Sequence, residues 1–459
     1  MAASSTDAAV AVTRLGLGAR PGEIARVAAD PRGWALAQIR PEGAPPPTGS
    51  FQTTDQRMAA FLAYQAQGRQ GDRSDAEAAR AARQAARRAI TDDTAQAFLA
   101  RARHGATTDQ GFAERWTLFW ANALTVSAVK FDSGAFVDSY ENEAIRPNVF
   151  GRFQDLVVAA EQHPAMLLYL DQARSTGPGS PAGARRKIGL NENLAREMLE
   201  LHTVGADAGY TQADVTELAR ALTGWSIPRP QDAQDHAAAF VFRANVHEPG
   251  PRTVMGKTYP AAGRAAGRGQ GEAILRDLAR HPATARRLSH RIAAHFVADA
   301  PPPSLVTRLE TAWTRSDGDL GQVARALVEA PETWAAQPFK IKTPYEFVVS
   351  THRALGGPPE RLQPLRQTLV AMGQPPFAPP SPEGWPDTAA DWAGPDALVK
   401  RLNWARSAAE TARTADIDAT ANDALGDRLS ERTRLAVARA ESRTEALTLL
   451  LMSPEFQRR

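Results

Sequence analysis

Apolar residues recur at three- and four-residue spacing along most of this chain, a pattern that predicts helix after helix with few strands. Residues 14–45 read as a short helical start, broken by Gly43, Pro45, Pro46 and Pro47. From Thr54 to His104 alanine and arginine dominate, which favours helix by intrinsic propensity. Arg80, Arg83 and Arg87 share one face there, and the nearby Asp75, Glu77, Asp92 and Asp93 make it a solvated surface rather than an anion-binding stripe. Between Phe112 and Thr125, Trp116, Phe119 and Trp120 fall on one face as core anchors. His163-Pro164 and His281-Pro282 each precede an apolar periodic run, with proline at a first helical position, so both histidines are expected as cap or loop residues.

Three segments interrupt the helical pattern. Residues 173–189 are rich in glycine, proline and serine and end in Arg185, Arg186 and Lys187, which reads as a flexible basic loop. It is either a lid that recruits an anion to the following helix or a surface loop. The β-branched and aromatic run Phe240–His247, the turn sequence EPGPR and the run Thr253–Pro260 predict one small hairpin. The proline-dense residues 373–387 carry Phe377 and Trp385 as apolar anchors and are expected as an ordered extended loop.

The expected fold class is therefore mainly α, a multi-helix bundle-like architecture with one small β-hairpin near 240–260. An N-terminal helical region (1–172), the basic loop (173–189) and a C-terminal helical region (190–459) would form one compact unit. The 54 basic and 51 acidic residues are interspersed and leave a net charge of only +3, which argues against nucleic-acid binding. No run approaches the roughly 18 uncharged apolar residues of a membrane span. The first residues lack a basic leader followed by an apolar segment, so a cytoplasmic protein is expected. Cysteine is absent, which removes disulfides, thiolate metal sites and cysteine nucleophiles.

The densest candidate chemistry lies in Gly189–Gly205. Leu190 and Asn191 read as staple and N-cap, and Gly205 as the stop. At about 100° per residue, Asn193, Glu197 and Glu200 share one stripe, Leu194, Met198 and Leu201 form an apolar stripe a quarter-turn away, and His202 lies beyond it. Two carboxylates at i, i+3 suit a general acid and base. A metal would need further ligands at another spacing, so neither a metal nor a cofactor is specified. Arg196 stands i, i+4 from both Glu192 and Glu200, so an ion-pair network along an exposed face is the plain alternative. The next helix opens with the capping box Thr211 and Asp214, and its Glu217 and Arg220 are expected to face the polar stripe.

The run GLNENLAREMLELHTVGADAGYTQADVTELARALTGW resembles the signature of the bacterial family called domain of unknown function 1800. ERWTLFW, ENEAIRPNVFGRFQDL, HPAMLLYLD, FVFRANVHEPGPRTVMGKTYP, HPATARRLSHRIAAHFV, KTPYEF, GWPD and SPEFQRR extend the similarity over nearly the whole chain. The resemblance implies a mostly helical protein with no assigned activity, often encoded beside a sulfatase-like protein and exported in some members. It also implies that Asn193, Arg196, Glu197, Glu200 and His202, together with Asn122, Asp171 and His247, line a pocket. Asp171 also reads as a helix cap and His247 as a hairpin-end residue. The family pattern continues Phe-Trp-x-Asn-His-Phe, whereas here Asn122 is followed by Ala123, which removes an imidazole. Two functions follow. One is a ligand- or partner-binding accessory protein with a carboxylate-lined cleft, its partner the sulfatase-like protein. The other is a hydrolase with Glu197 and Glu200 as acid and base, assisted by His202 or His247, with or without a divalent metal.

Overall fold

A computed structural model describes residues 5–67, 76–186, 189–230, 232, 239–261, 267–337, 339–412 and 416–459. The fold is mainly α, with two small two-stranded antiparallel sheets among the described residues. No described helix is long and apolar enough to cross a membrane.

The largest core gathers the first helical turns, the aromatic helix Gly111–Ala123, the helix Phe153–Gln162, the signature helix and the helices from Gly267 to Glu329. Trp116, Phe119 and Trp120 sit in it together, as their spacing requires, and Trp116 Nε1 donates to the Val149 carbonyl at 2.7 Å. A second core joins the helices Pro344–Ala354, Pro395–Thr411 and Arg443–Met452. A third packs Phe98, Leu99 and Ala102 of the long helix Ala76–Thr107 against Tyr345, Val348 and Val349. The helix Pro344–Ala354 thus belongs to both smaller cores and joins the long helix to the helices Pro395–Thr411 and Arg443–Met452.

Buried arginines fasten these layers, because a guanidinium taken from water needs most of its donors satisfied. Arg353 donates to the carbonyls of Gly18, Gly105 and Thr108 and to Glu23. Arg146 grips both Glu114 and Glu141. On the long helix Arg80, Arg83 and Arg87 are exposed, the solvated face expected, and Arg83 lies over Tyr64 and Arg87 over Phe131 in surface cation–π contacts.

His163 and His281 are N-caps, each accepting the N–H two residues on, from Ala165 at 3.2 Å and Ala283 at 3.1 Å. The hairpin is corrected in detail. Val241–Phe242 pairs with Trp225–Ser226, and a separate ribbon pairs Arg252–Val254 with Lys257–Tyr259. The second ribbon closes on Met255 (φ 47°) and Gly256 (φ 76°), the positive-φ pair of a tight two-residue turn, so it forms without help from residues 240–247. Within 173–189 a short helix, Pro181–Arg186, is held by backbone bonds to Val246 and Asn245 and by Glu248, which accepts from Gly179 at 2.7 Å. Lys187 and Ile188 lie outside the described residues.

Candidate functional site

The signature helix runs as α-helix over Asn193–Glu197 and then as a wider π-turn over Met198–His202. It ends at His202, not at Gly205, and Asn191 does not cap it. Glu192 occupies the cap position but its side chain accepts no bond from the first helical N–H groups, and Asn191 Oδ1 accepts from the Asn193 N–H at 2.9 Å. In the wider turn each residue advances by less than the α-helical ~100°, so His202 rather than Leu201 follows Met198 into the core. Leu201 is left half-exposed.

On the outer side Asn193 is exposed. Arg196 lies 3.5 Å from both Glu192 and Glu200 and 2.9 Å from Gln212. The expected neighbours across this stripe are corrected: Gln212 and Thr216 face it, each bonding Glu192 at 2.7 Å. Glu217 and Arg220 sit a part-turn further round, pair with each other, and Glu217 meets Arg252 of the ribbon at 3.0 Å. Glu197 is half-buried, and burial raises its carboxyl above the ordinary range; His202 opposes that rise and Glu200 adds to it. His202 Nδ1 lies 2.6 Å from Glu161 Oε1, both side chains fully buried. Among the described residues, no three histidine, aspartate or glutamate side chains are grouped to hold a metal ion.

The other candidates scatter. Asp171 adopts φ 58° and makes no side-chain cap; its carboxylate pairs with Lys130 at 2.8 Å, and its left-handed backbone turns the chain into Gln172–Arg174. His247 Nδ1 lies 2.8 Å from the Thr223 carbonyl and its ring meets Phe242 edge-on, a hairpin-end role. Asn122 lines a cavity. That cavity, about 120 Å³, opens between the aromatic helix, the long helix, the helix Pro344–Ala354 and residues 374–387. It exceeds by several-fold the ~10–15 Å³ that holds one water.

One wall of the cavity is aromatic, with Tyr140, Tyr345, Phe98 and Phe377. The other is ionic. His295, in the last turn of the helix Pro282–Phe296, sets Nδ1 2.8 Å from Asp387 Oδ2, while its Nε2 is buried and has no hydrogen-bond partner among the described residues. Asp387 is further held by Lys340 at 3.4 Å and Arg459 at 3.5 Å. Arg459 continues to Glu346 at 3.2 Å, and Arg115 bonds the same carboxylate. Across the cavity Arg101 pairs with Glu141 at 3.0 Å.

Burial pushes His295 down to about 4, Asp387 opposes that fall and Arg459 reinforces it, so the imidazole is neutral near pH 7. With Asp387 ionised and accepting at Nδ1, the proton resides on Nδ1 and the Nε2 lone pair is free. Burial alone would raise Glu346, yet Arg115 and Arg459 hold it well below the usual carboxylate range. The wall is thus acidic but charge-compensated from behind.

Sequence reasoning missed His295, Asp387, Glu346, Glu141 and Arg459. A histidine inside the apolar run IAAHFV was a usable signal, since an imidazole there must be buried. Its partner, however, lies 92 residues away. Ala123, the residue after Asn122, is buried in the main core and does not line the cavity.

A family model described as protein of unknown function (DUF1800) matches residues 10–458, so the chain belongs to that family. No curated protein and no solved structure matches it.

Proposed function

We propose that this DUF1800-family protein binds a small molecule in the cavity beside Asn122, and that His295 Nε2 accepts a hydrogen bond from it. One observation carries the reading: a buried imidazole nitrogen without a partner stands in a cavity wall while its other nitrogen is fixed by Asp387. A buried acceptor left unmade costs ~1–3 kcal/mol, which a ligand donor would recover. The ligand class follows from the walls: a hydroxyl or amine on an apolar body that lies against Tyr140 and Phe377.

A panel of small alcohols and amines, screened by thermal shift and by imidazole NMR, tests this. A compound should stabilise the wild type and perturb the His295 signal, and His295→Phe should abolish both effects. A panel in which every stabilising compound acts equally on His295→Phe would refute it.

A second reading is favoured by the same dyad. A carboxylate that orients a neutral imidazole is the arrangement of a general base, so the bound hydroxyl could be deprotonated at Nε2 for hydrolytic or transfer chemistry. Its mark would be turnover that falls with protonation of His295. The hydrolase that rests on Glu197 and Glu200 has the raised carboxyl of Glu197 in its support, while Glu200 is engaged by Arg196. The accessory reading, with a sulfatase-like partner, would show as a complex on co-purification that survives His295→Phe.

A further inference from the structure

We propose a second binding site, for a small oxyanion of the phosphate or sulfate type, in the groove between residues 204–208 and the helix Pro282–Phe296. This helix carries Arg286, Arg287, His290 and Arg291 at i, i+1, i+4 and i+5, which sets all four on one side, facing Val204 to Ala208. The groove is open and holds about 560 Å³.

Its guanidiniums are under-used. Arg287 donates to a single acceptor, the Leu201 carbonyl, and Arg286 reaches Glu310 at 3.7 Å. Arg291, half-buried, has no hydrogen bond or ion pair among the described residues. The contrast with Arg146, Arg115 and Arg353 is sharp, since each of those is held by a carboxylate. Two cations one helical turn apart also repel: burial and Arg291 together lower Arg287 to about 10. Bound negative charge would relieve that repulsion and fill the empty donors at once.

The donor arrangement selects the anion. A planar carboxylate presents its two oxygens in one plane, whereas a tetrahedral oxyanion directs oxygens out of that plane as well, toward a second arginine and His290 at once. Glu383 and Asp207, both exposed, are the acidic side chains in the wall, and neither forms an ion pair with Arg287 or Arg291. Glu383 lies close enough to raise Arg291 electrostatically and so competes with the anion. None of its basic residues lines the cavity, and the link between the two is electrostatic: Asp387 of the cavity wall also raises Arg291.

Calorimetric titration of the full chain with inorganic phosphate, and separately with sulfate, at constant ionic strength set by chloride tests the site. At least one of the two should bind, and the tighter one shows which oxyanion the site prefers. Arg291→Gln should weaken binding roughly tenfold or more, Arg291→Lys by less, and Glu383→Gln should strengthen it. His295→Gln should leave it unchanged, so failure here and failure of the cavity reading are separately visible. Should Arg291→Gln not fold, the Arg291→Lys and Glu383→Gln pair decides alone. The proposal is overturned if neither anion binds above the chloride background, or if the folded Arg291 and Glu383 variants bind like wild type.

Discussion

The Asn122 carboxamide holds Trp385 at both backbone polar groups: Nδ2 donates to the Trp385 carbonyl at 3.0 Å, and Oδ1 accepts the Trp385 N–H at 2.7 Å. This clamp fixes the backbone two residues before Asp387 and so aims the carboxylate that orients His295. Gly384 makes it possible. It adopts φ 95°, and a Cβ there would lie 2.5 Å from the Asn122 carbonyl oxygen.

Asn122→Asp should therefore destabilise the protein by about 1–3 kcal/mol, because an acceptor replaces the donor facing the Trp385 carbonyl. Gly384→Ala should cost at least as much, through strain and collision together. Urea denaturation measures both. The His295 imidazole signals should shift in each variant, and unchanged signals would mean that the clamp does not position Asp387.

Acid should loosen the fold before any carboxylate with an ordinary pKa titrates. Burial lowers His295 to about 4 and His163 to about 3, against the ordinary 6.5. The unfolded chain takes up these protons below about pH 6.5 while the folded chain does not, so their contribution is complete above that value and is lost as pH falls toward 4. Glu346, held low by its arginines, adds a further loss below its ordinary 4.5. Urea midpoints should decrease from pH 7.5 through 6 to 5, and His295→Phe should flatten the decline. Equal midpoints at pH 7.5 and 5 would contradict the assignment of a neutral buried imidazole.

Much of the fold was legible in the pattern of apolar positions, because helix periodicity and capping are local. The Trp116, Phe119 and Trp120 face, the Thr211 and Asp214 capping box and the histidine caps each depend on residues within a turn of one another. The ribbons are not legible in the sequence because strand pairing is non-local: Trp225 competes for Phe242, and Met255-Gly256 forms its own turn. The π-turn was illegible for a similar reason, since it is the buried Glu161, 41 residues back, that gives His202 its partner. The cavity joins segments separated by up to hundreds of residues, and only Asn122 among its walls stood out as a candidate beforehand.

The buried pair of Glu161 and His202 makes a sharper prediction about stability. Each leaves one polar atom unmatched, Glu161 Oε2 and His202 Nε2, so neither has a spare partner when the other is removed. Glu161→Leu should destabilise by ~1–3 kcal/mol, the cost of leaving the buried His202 imidazole without its hydrogen-bond partner. Glu161→Leu combined with His202→Phe should cost clearly less than the sum of the two single changes, since the double variant buries only apolar atoms. A double-mutant cycle on denaturation free energies gives the coupling directly, and additive values would show that the pair does not act as a unit.

The outer stripe of the signature helix should behave oppositely. Glu192, Arg196 and Glu200 are partly exposed, so Glu200→Gln should change stability by less than ~1 kcal/mol, with the change shrinking further in high salt. Glu197 differs because burial raises its carboxyl, which makes the ionised form a burden on the folded state as pH rises through and above its folded value. Glu197→Gln should therefore raise the urea midpoint at pH 7 and lose that advantage near pH 4. If turnover is found, its survival in Glu197→Gln would assign the chemistry away from this stripe, whereas its loss in a stabilised variant would mark a functional carboxylate kept at a cost to stability.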